Sequence, residues 1–293
     1  MKLAITRISS MMLLVAIATS CSKQELTPTA VPIAAVVSQD ATRDNHLAMG
    51  NPSGAVADSY YYWNYLMQKS QYAMSYHRDR GTPNWVSWHL SSAWLGSTPR
   101  QDDFRADATL PSGWYRVGGS SYSGSGFDRG HMCPSADRTG STTDNSATFL
   151  MTNMIPQAAN NNQRTWANLE NYSRKLVSEG KELYIICGSY GKGGDGLNGY
   201  ATTIDAGRVT VPARTWKVIV VLPEGSSDAG RVSTSTRIIA VNMPNSQSIN
   251  TDWGTYRCTV NSIESATGYN IMSAVSIAVQ DVIEAKVDTG PTS

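Results

Sequence analysis

The densest apolar stretches along the chain are short and rich in β-branched and aromatic side chains. Residues 85–90, 148–154, 183–187, 208–212, 216–222 and 237–242 are such stretches, bounded by Gly, Pro, Asn or Ser, and they predict strands. Helical spacing is rarer. It runs through 57–68, with Tyr60, Trp63, Tyr65 and Leu66, and through 162–178, with Trp166, Leu169, Tyr172, Leu176 and Val177 before Gly180. Residues 262–266 and 272–278 predict two short helices near the C-terminus. Strands grouped with a few segregated helices predict an α+β fold rather than alternating βαβ units. From His46 onward there is no second linker and no internal repeat, so 46–293 is expected to be a single domain.

Composition narrows the function. With 293 residues, 41% hydrophobic and 16% charged, the chain has material for a large core. Lys and Arg number 24 against 23 Asp and Glu, a net charge of +1; a globally basic nucleic-acid binder is excluded, and any polyanion site must be local. The N-terminus carries Lys2 and Arg7, then an apolar stretch over 8–18 that is too short for the roughly 20 residues of a membrane span. This is the pattern of an export signal over 1–20. Ala18-Thr19-Ser20-Cys21 resembles a bacterial lipoprotein processing box, so Cys21 is expected to carry the lipid. Residues 21–45 then form a lipidated start and a tether. The protein is expected outside the cytoplasm, on the envelope through Cys21, or secreted or periplasmic if the signal is an ordinary one. That compartment permits disulfides. Cys187 and Cys258 are the expected pair, with Cys133 free; three buried thiols is the competing reading.

The chemistry concentrates in two places. There is no G-x-S-x-G, no P-loop, no H-E-x-x-H and no C-x-x-C, which removes support for α/β hydrolases, P-loop enzymes and zincins. The stretch from Asp128 to Arg138 holds His131, the side chain best suited to take a proton from water near neutral pH. Gly130 allows close backbone approach beside it, and Arg129 and Arg138 suit phosphate. Taken alone, His131 reads as a loop histidine. Downstream, Asn162 and Glu170 share one side of the predicted helix, within roughly 80° of each other but about 12 Å apart along its axis. One ion is not easily bound directly by both. An amide oxygen plus waters suits Mg²⁺. The aromatic stretch Tyr60 to Trp63 is expected to pack a helix on the sheet, and His89 to be structural.

Together these segments resemble the DNA/RNA non-specific endonucleases of the ββα-metal superfamily, marked by the D-R-G-H box at Asp128–His131. The likeness is strongest to their secreted, sugar-non-specific cyanobacterial branch. It extends over Asn84–Trp88, Trp94-Leu95-Gly96, Asp102–Arg105, Tyr122–Arg138, Phe149–Gln157, Trp166–Glu170, Trp216-Lys217, Ala240–Asn242 and Thr267-Gly268-Tyr269. The resemblance implies a central antiparallel sheet with flanking helices and a ββα-metal motif. It places the general base on His131, the metal-binding asparagine on Asn162, the water-holding glutamate on Glu170, and phosphate contacts on Arg174 and on a transition-state arginine at Arg100, with Arg105 competing. Asn153 falls near the active centre and Arg129 within the box. The implied cofactor is Mg²⁺, with Mn²⁺ as an alternative; the implied partners are DNA and RNA, with membrane contact only through Cys21, and no residue points to an inhibitor protein. Two other readings compete: a polyanion-binding lipoprotein without catalysis, and a phosphodiesterase for a different substrate.

Overall fold

The computed structural model describes residues 45–293. The expected export signal, Cys21 and all of the expected tether except Asn45 therefore lie outside the described residues. In chain order the strands are β1 (Tyr65–Gln68), β2 (Ala73–His77), β3 (Thr82–Leu90), β4 (Asp128–His131), β5 (Met154–Gln157), β6 (Lys181–Tyr190), β7 (Gly194–Gly196), β8 (Gly199–Ala201), β9 (Thr203–Ile204), β10 (Val209–Thr210), β11 (Arg214–Pro223) and β12 (Arg237–Pro244). The α-helices are α1 (Thr142–Ala147), α2 (Ala167–Ser178), α3 (Asp228–Arg231), α4 (Val260–Thr267) and α5 (Ile277–Ile283).

A six-stranded antiparallel sheet in the order β1-β2-β3-β6-β11-β12 forms the centre. Alternate residues feed two separate cores. Val86, Trp88, Ile185, Cys187, Ile219 and Val241 pack on one face with Leu169, Tyr172, Leu176 and Val177 of α2. Trp85, Tyr184, Ile186, Trp216, Val218 and Val220 pack on the other with Val260, Ile263 and Ile283 of α4 and α5. Because both faces are covered, the strands read as continuous apolar runs, not as an alternation. The predicted α+β class and its central antiparallel sheet are what the chain forms.

The β4–β5 hairpin stands apart from this sheet. Asp128 pairs with Gln157 and His131 with Met154, and a third apolar cluster of Phe127, Met151, Met154, Val209 and Val211 lies with it. His131 is thus a strand residue rather than a loop one. Gly130 lets the hairpin close: a Cβ there would come within 2.2 Å of Gln157 Oε1. After β5 the chain enters a π-helical turn, Asn161–Trp166, and then α2. The sequence predicted a regular helix from 162. The wider turn has a local cause, because the buried Asn161 amide donates to Pro244 O and Thr215 Oγ1 and accepts from Gln157 Nε2; an extra residue in the turn is typical near functional sites.

Other expectations are corrected. Residues 57–68 form a 3-10 turn at Ser59–Tyr61 and then β1, and Tyr60 and Trp63 are 71% and 44% exposed rather than packed on the sheet. Asp58 caps the turn through Tyr60 N–H, and the run of four aromatics that follows does not keep a helical face. Residues 148–154 are not a strand but a turn that leads into a 3-10 turn at Met151–Asn153, with only Met154 in β5, since the Asn153 side chain takes up neighbouring backbone groups that a strand would need. Only Val209–Thr210 of 208–212 is extended, and the last predicted helix lies later, at Ile277–Ile283. The expected disulfide is absent: Cys133, Cys187 and Cys258 are free thiols. Cys187 faces α2 in register with Val86 and Lys217, whereas Cys258 bonds to Ala240 and packs with the opposite core. The sheet itself separates them. No helix among the described residues is long and apolar enough to cross a membrane.

Candidate active site

The hairpin and the π turn together wall a cavity of about 360 Å³, lined by Arg100, Phe104, Asp128, Arg129 and Asn162 among others. His131, last residue of the D-R-G-H strand, packs behind Phe104, which lines this cavity. The ring is 8% exposed, edge-on to Phe104 at 5.5 Å and to Phe149 at 4.9 Å between centroids, and its Nε2 is buried with no hydrogen-bond partner. Burial, reinforced by the nearby Arg100 and Arg129 guanidiniums, pushes its pKa down from 6.5 to about 3. The imidazole is therefore neutral at physiological pH, with an orphaned nitrogen, the state a proton acceptor needs.

The two cavity arginines are held by aromatic faces. Arg100 stands 4.8 Å from the Phe149 centroid and is fixed by Asp102 at 2.6 Å and by Ser135 Oγ at 2.9 Å. Arg129 stacks 3.9 Å over Phe104. Each aromatic thus packs against His131 on one side and a cation on another. Arg105 points elsewhere, to Asp103 and the Ser146 carbonyl; geometry favours Arg100 as the arginine of the site.

Asn162 donates its amide to Asp128 Oδ2 at 2.8 Å, as does Gln163 from the next position. That leaves the Asn162 carbonyl oxygen as its acceptor on the cavity wall. Among the described residues no three His, Cys, Asp or Glu side chains come together as a metal cage. The donors present are amide and carboxylate oxygens, which fit a hard, largely hydrated divalent cation rather than zinc.

The remaining site residues fall behind this wall. Glu170, on α2, belongs to a charge cluster with Lys217, Arg174 and Asp137; burial raises its pKa, opposed by Lys217 and Arg174. Arg174 is engaged by Asp137 at 2.6 Å and by Asn171, so its guanidinium is not free on the cavity wall. Asn153 is fully buried and clamps the chain after the box: its amide donates to the carbonyls of Cys133 and Thr148 and accepts from Cys133 N–H. It shapes the turn that follows His131. Arg138 does not face phosphate. It is buried, spending its donors on the carbonyls of Gln71, His89 and Asp137. His89 is structural, paired with Glu182 at 3.0 Å.

Sequence reasoning gave no role to Asp128, Gln163 or Lys217. For Lys217 a signal was present, a lone cation within the apolar run 216–222. Asp128 was visible only as a letter of the box; the bond to Asn162, 34 residues away, needs the fold.

A histidine on a β-hairpin, followed by an amide at the entry to the next helix, is the frame of the ββα nucleases, enzymes that cleave phosphodiester bonds. Residues 52–277 match the model of the DNA/RNA non-specific endonucleases, and the chain belongs to that family. A nuclease from Nostoc sp. is 54% identical over 243 residues, covering 83% of this chain and 86% of its own. Human mitochondrial endonuclease G is 30% identical over 210 residues, covering 69% and 68%. In a crystal structure of an EndoG/EndoGI complex, a chain 25% identical superposes with a TM-score of 0.65 over 82% of this chain and 95% of its own. The protein is thus an endonuclease, a phosphodiester hydrolase.

Proposed function

We propose that the protein hydrolyses both DNA and RNA without strong sequence preference, using His131 as general base and one Mg²⁺, and leaves 5′-phosphorylated products. The observation that carries this reading is the neutral, partnerless Nε2 of His131 beside two cavity arginines. Nε2 takes a proton from the attacking water. The water oxygen bonds to phosphorus as the bond to the 3′ oxygen breaks, the 3′ oxygen takes a proton from solvent water, and the phosphate stays on the 5′ side. Arg100 and Arg129 bind the phosphate and offset the charge that develops on it. Asn162 would hold the cation directly and Glu170 through water, and Mn²⁺ suits the same oxygen donors; such an ion would supply positive charge against the negative charge that develops in the reaction. Asp128 orients Asn162. Contacts made mainly to phosphate read neither base nor sugar, so both nucleic acids qualify.

Plasmid DNA and a long RNA, each incubated with the purified protein and Mg²⁺, test this directly. Both are expected to be cut, with cleavage abolished by excess chelator and slowed as salt screens the arginines. Undiminished cleavage in chelator contradicts the metal assignment; inert DNA and RNA contradict the substrate reading.

The pH profile carries a second expectation. The His131 pKa lies far below its ordinary 6.5, so the base form persists on acidification. The acidic limb of kcat/KM, which reports the free enzyme, should lie well below 6.5 at saturating metal. A bound phosphate counters Arg100 and Arg129, two causes of the depression, so the limb of kcat should lie at higher pH than that of kcat/KM. A kcat/KM limb at or above 6.5 contradicts the assignment.

A further inference from the structure

We propose that Lys217 is a positioning residue of the reaction: from the sheet it fixes the carboxylate of Glu170 in place, an inference that rests on the role given to Glu170 above. Lys217 lies in the middle of β11, in register with Cys187 and Val241. Its side chain is 1% exposed, and its Nζ makes no hydrogen bond. The ammonium lies 4.1 Å from the Trp166 ring centroid, 5.7 Å from that of Trp88 and 3.6 Å from Glu170 Oε1.

Stability does not explain this lysine. An ammonium buried among Trp, Cys and Val is costly, and a neutral, well-packed pair in place of both Lys217 and Glu170 would fill the space without that cost. What the lysine provides is a fixed positive charge, presented by the rigid sheet to the underside of the helix that follows Asn162. Glu170 has a second cation nearby, but Arg174 is drawn to Asp137, which Trp88 Nε1 also holds, at 3.0 Å. Among the described residues Lys217 is the cation in ion-pair contact with Glu170. The charges alternate, Asp137, Arg174, Glu170, Lys217, across the seam between α2 and the sheet. At 3.6 Å the ammonium attracts the carboxylate without the paired donors of an arginine fork, leaving its lone pairs available to water. The aromatic ring of Trp166, from the π turn, covers the cation and ties that turn to the same pair.

A double-mutant cycle tests this, with K217M, E170Q and the combined variant compared for thermal midpoint, for Mg²⁺ affinity by calorimetry without substrate, and for kcat at saturating Mg²⁺. K217M alone should lower kcat by roughly 10–100-fold, the scale of lost outer-shell partners. It should also weaken Mg²⁺ binding and lower the midpoint, because Glu170 is left buried without its counter-ion. In the E170Q background the same substitution should change kcat less than about twofold, and the combined variant should melt above K217M alone. Equal losses of midpoint and rate in both backgrounds, or a combined variant that folds no better than K217M, overturn the proposal. E170Q with the parent rate refutes the role of Glu170 instead, and the midpoints then still report whether the pair is coupled.

Discussion

His131→Ala should lose at least roughly 10²–10⁴-fold in turnover, the usual contribution of a general base, while its affinity for nucleic acid and Mg²⁺ stays close to that of the parent. The argument is geometric. Nε2 is buried with no protein partner, so removing it breaks no hydrogen bond of that atom. The substitution does remove the ring wedged between Phe104 and Phe149, and it opens a gap of imidazole size. Added imidazole should therefore restore part of the rate. Arg100 and Arg129 keep their own supports, Asp102, Ser135 and the aromatic faces, so phosphate binding should persist. Single-turnover kinetics with anisotropy binding of a labelled duplex checks both halves. A variant that cleaves within a few-fold of the parent refutes His131 as the base.

Asn162→Ala should fail differently. It removes the one side chain assigned to direct contact with the cation, and Asp128 keeps only the Gln163 donor of its two. Metal affinity should fall by at least the 10–100-fold typical of changes further from an ion. Cleavage at low Mg²⁺ should collapse, and raising Mg²⁺ should recover part of it. A variant with the parent's Mg²⁺ dependence places the cation elsewhere.

The fold was legible where the local signal and the tertiary environment agree. The runs around Trp85, Ile185, Val218 and Ile239 are apolar on both faces because the sheet is covered on both, and so they read plainly as strands. The 57–68 segment misled because four consecutive aromatics satisfy several periods at once. Asn153 lies within a β-rich run, yet its amide does the work of turn backbone. The cysteine pairing failed for a topological reason, since neither residue reveals which face of the sheet it occupies. In the site, His131 and Asn162 were readable through the D-R-G-H box and the resemblance it supports. The separation of Arg174 from the cavity was not, because Asp137, 37 residues away, claims its guanidinium. Lys217 was visible as an anomaly, but its partner was not: the sheet and α2 must first be packed together.

The central claim is a division of labour, with proton transfer at His131 and cation binding at Asn162. Isothermal titration of Mg²⁺ into the folded parent, His131→Ala and Asn162→Ala, first without and then with an uncleavable nucleic-acid analogue, tests it most directly. The account predicts parent-like binding in His131→Ala and weakened binding in Asn162→Ala. If His131→Ala loses the metal while Asn162→Ala retains it, the two roles are assigned the wrong way round.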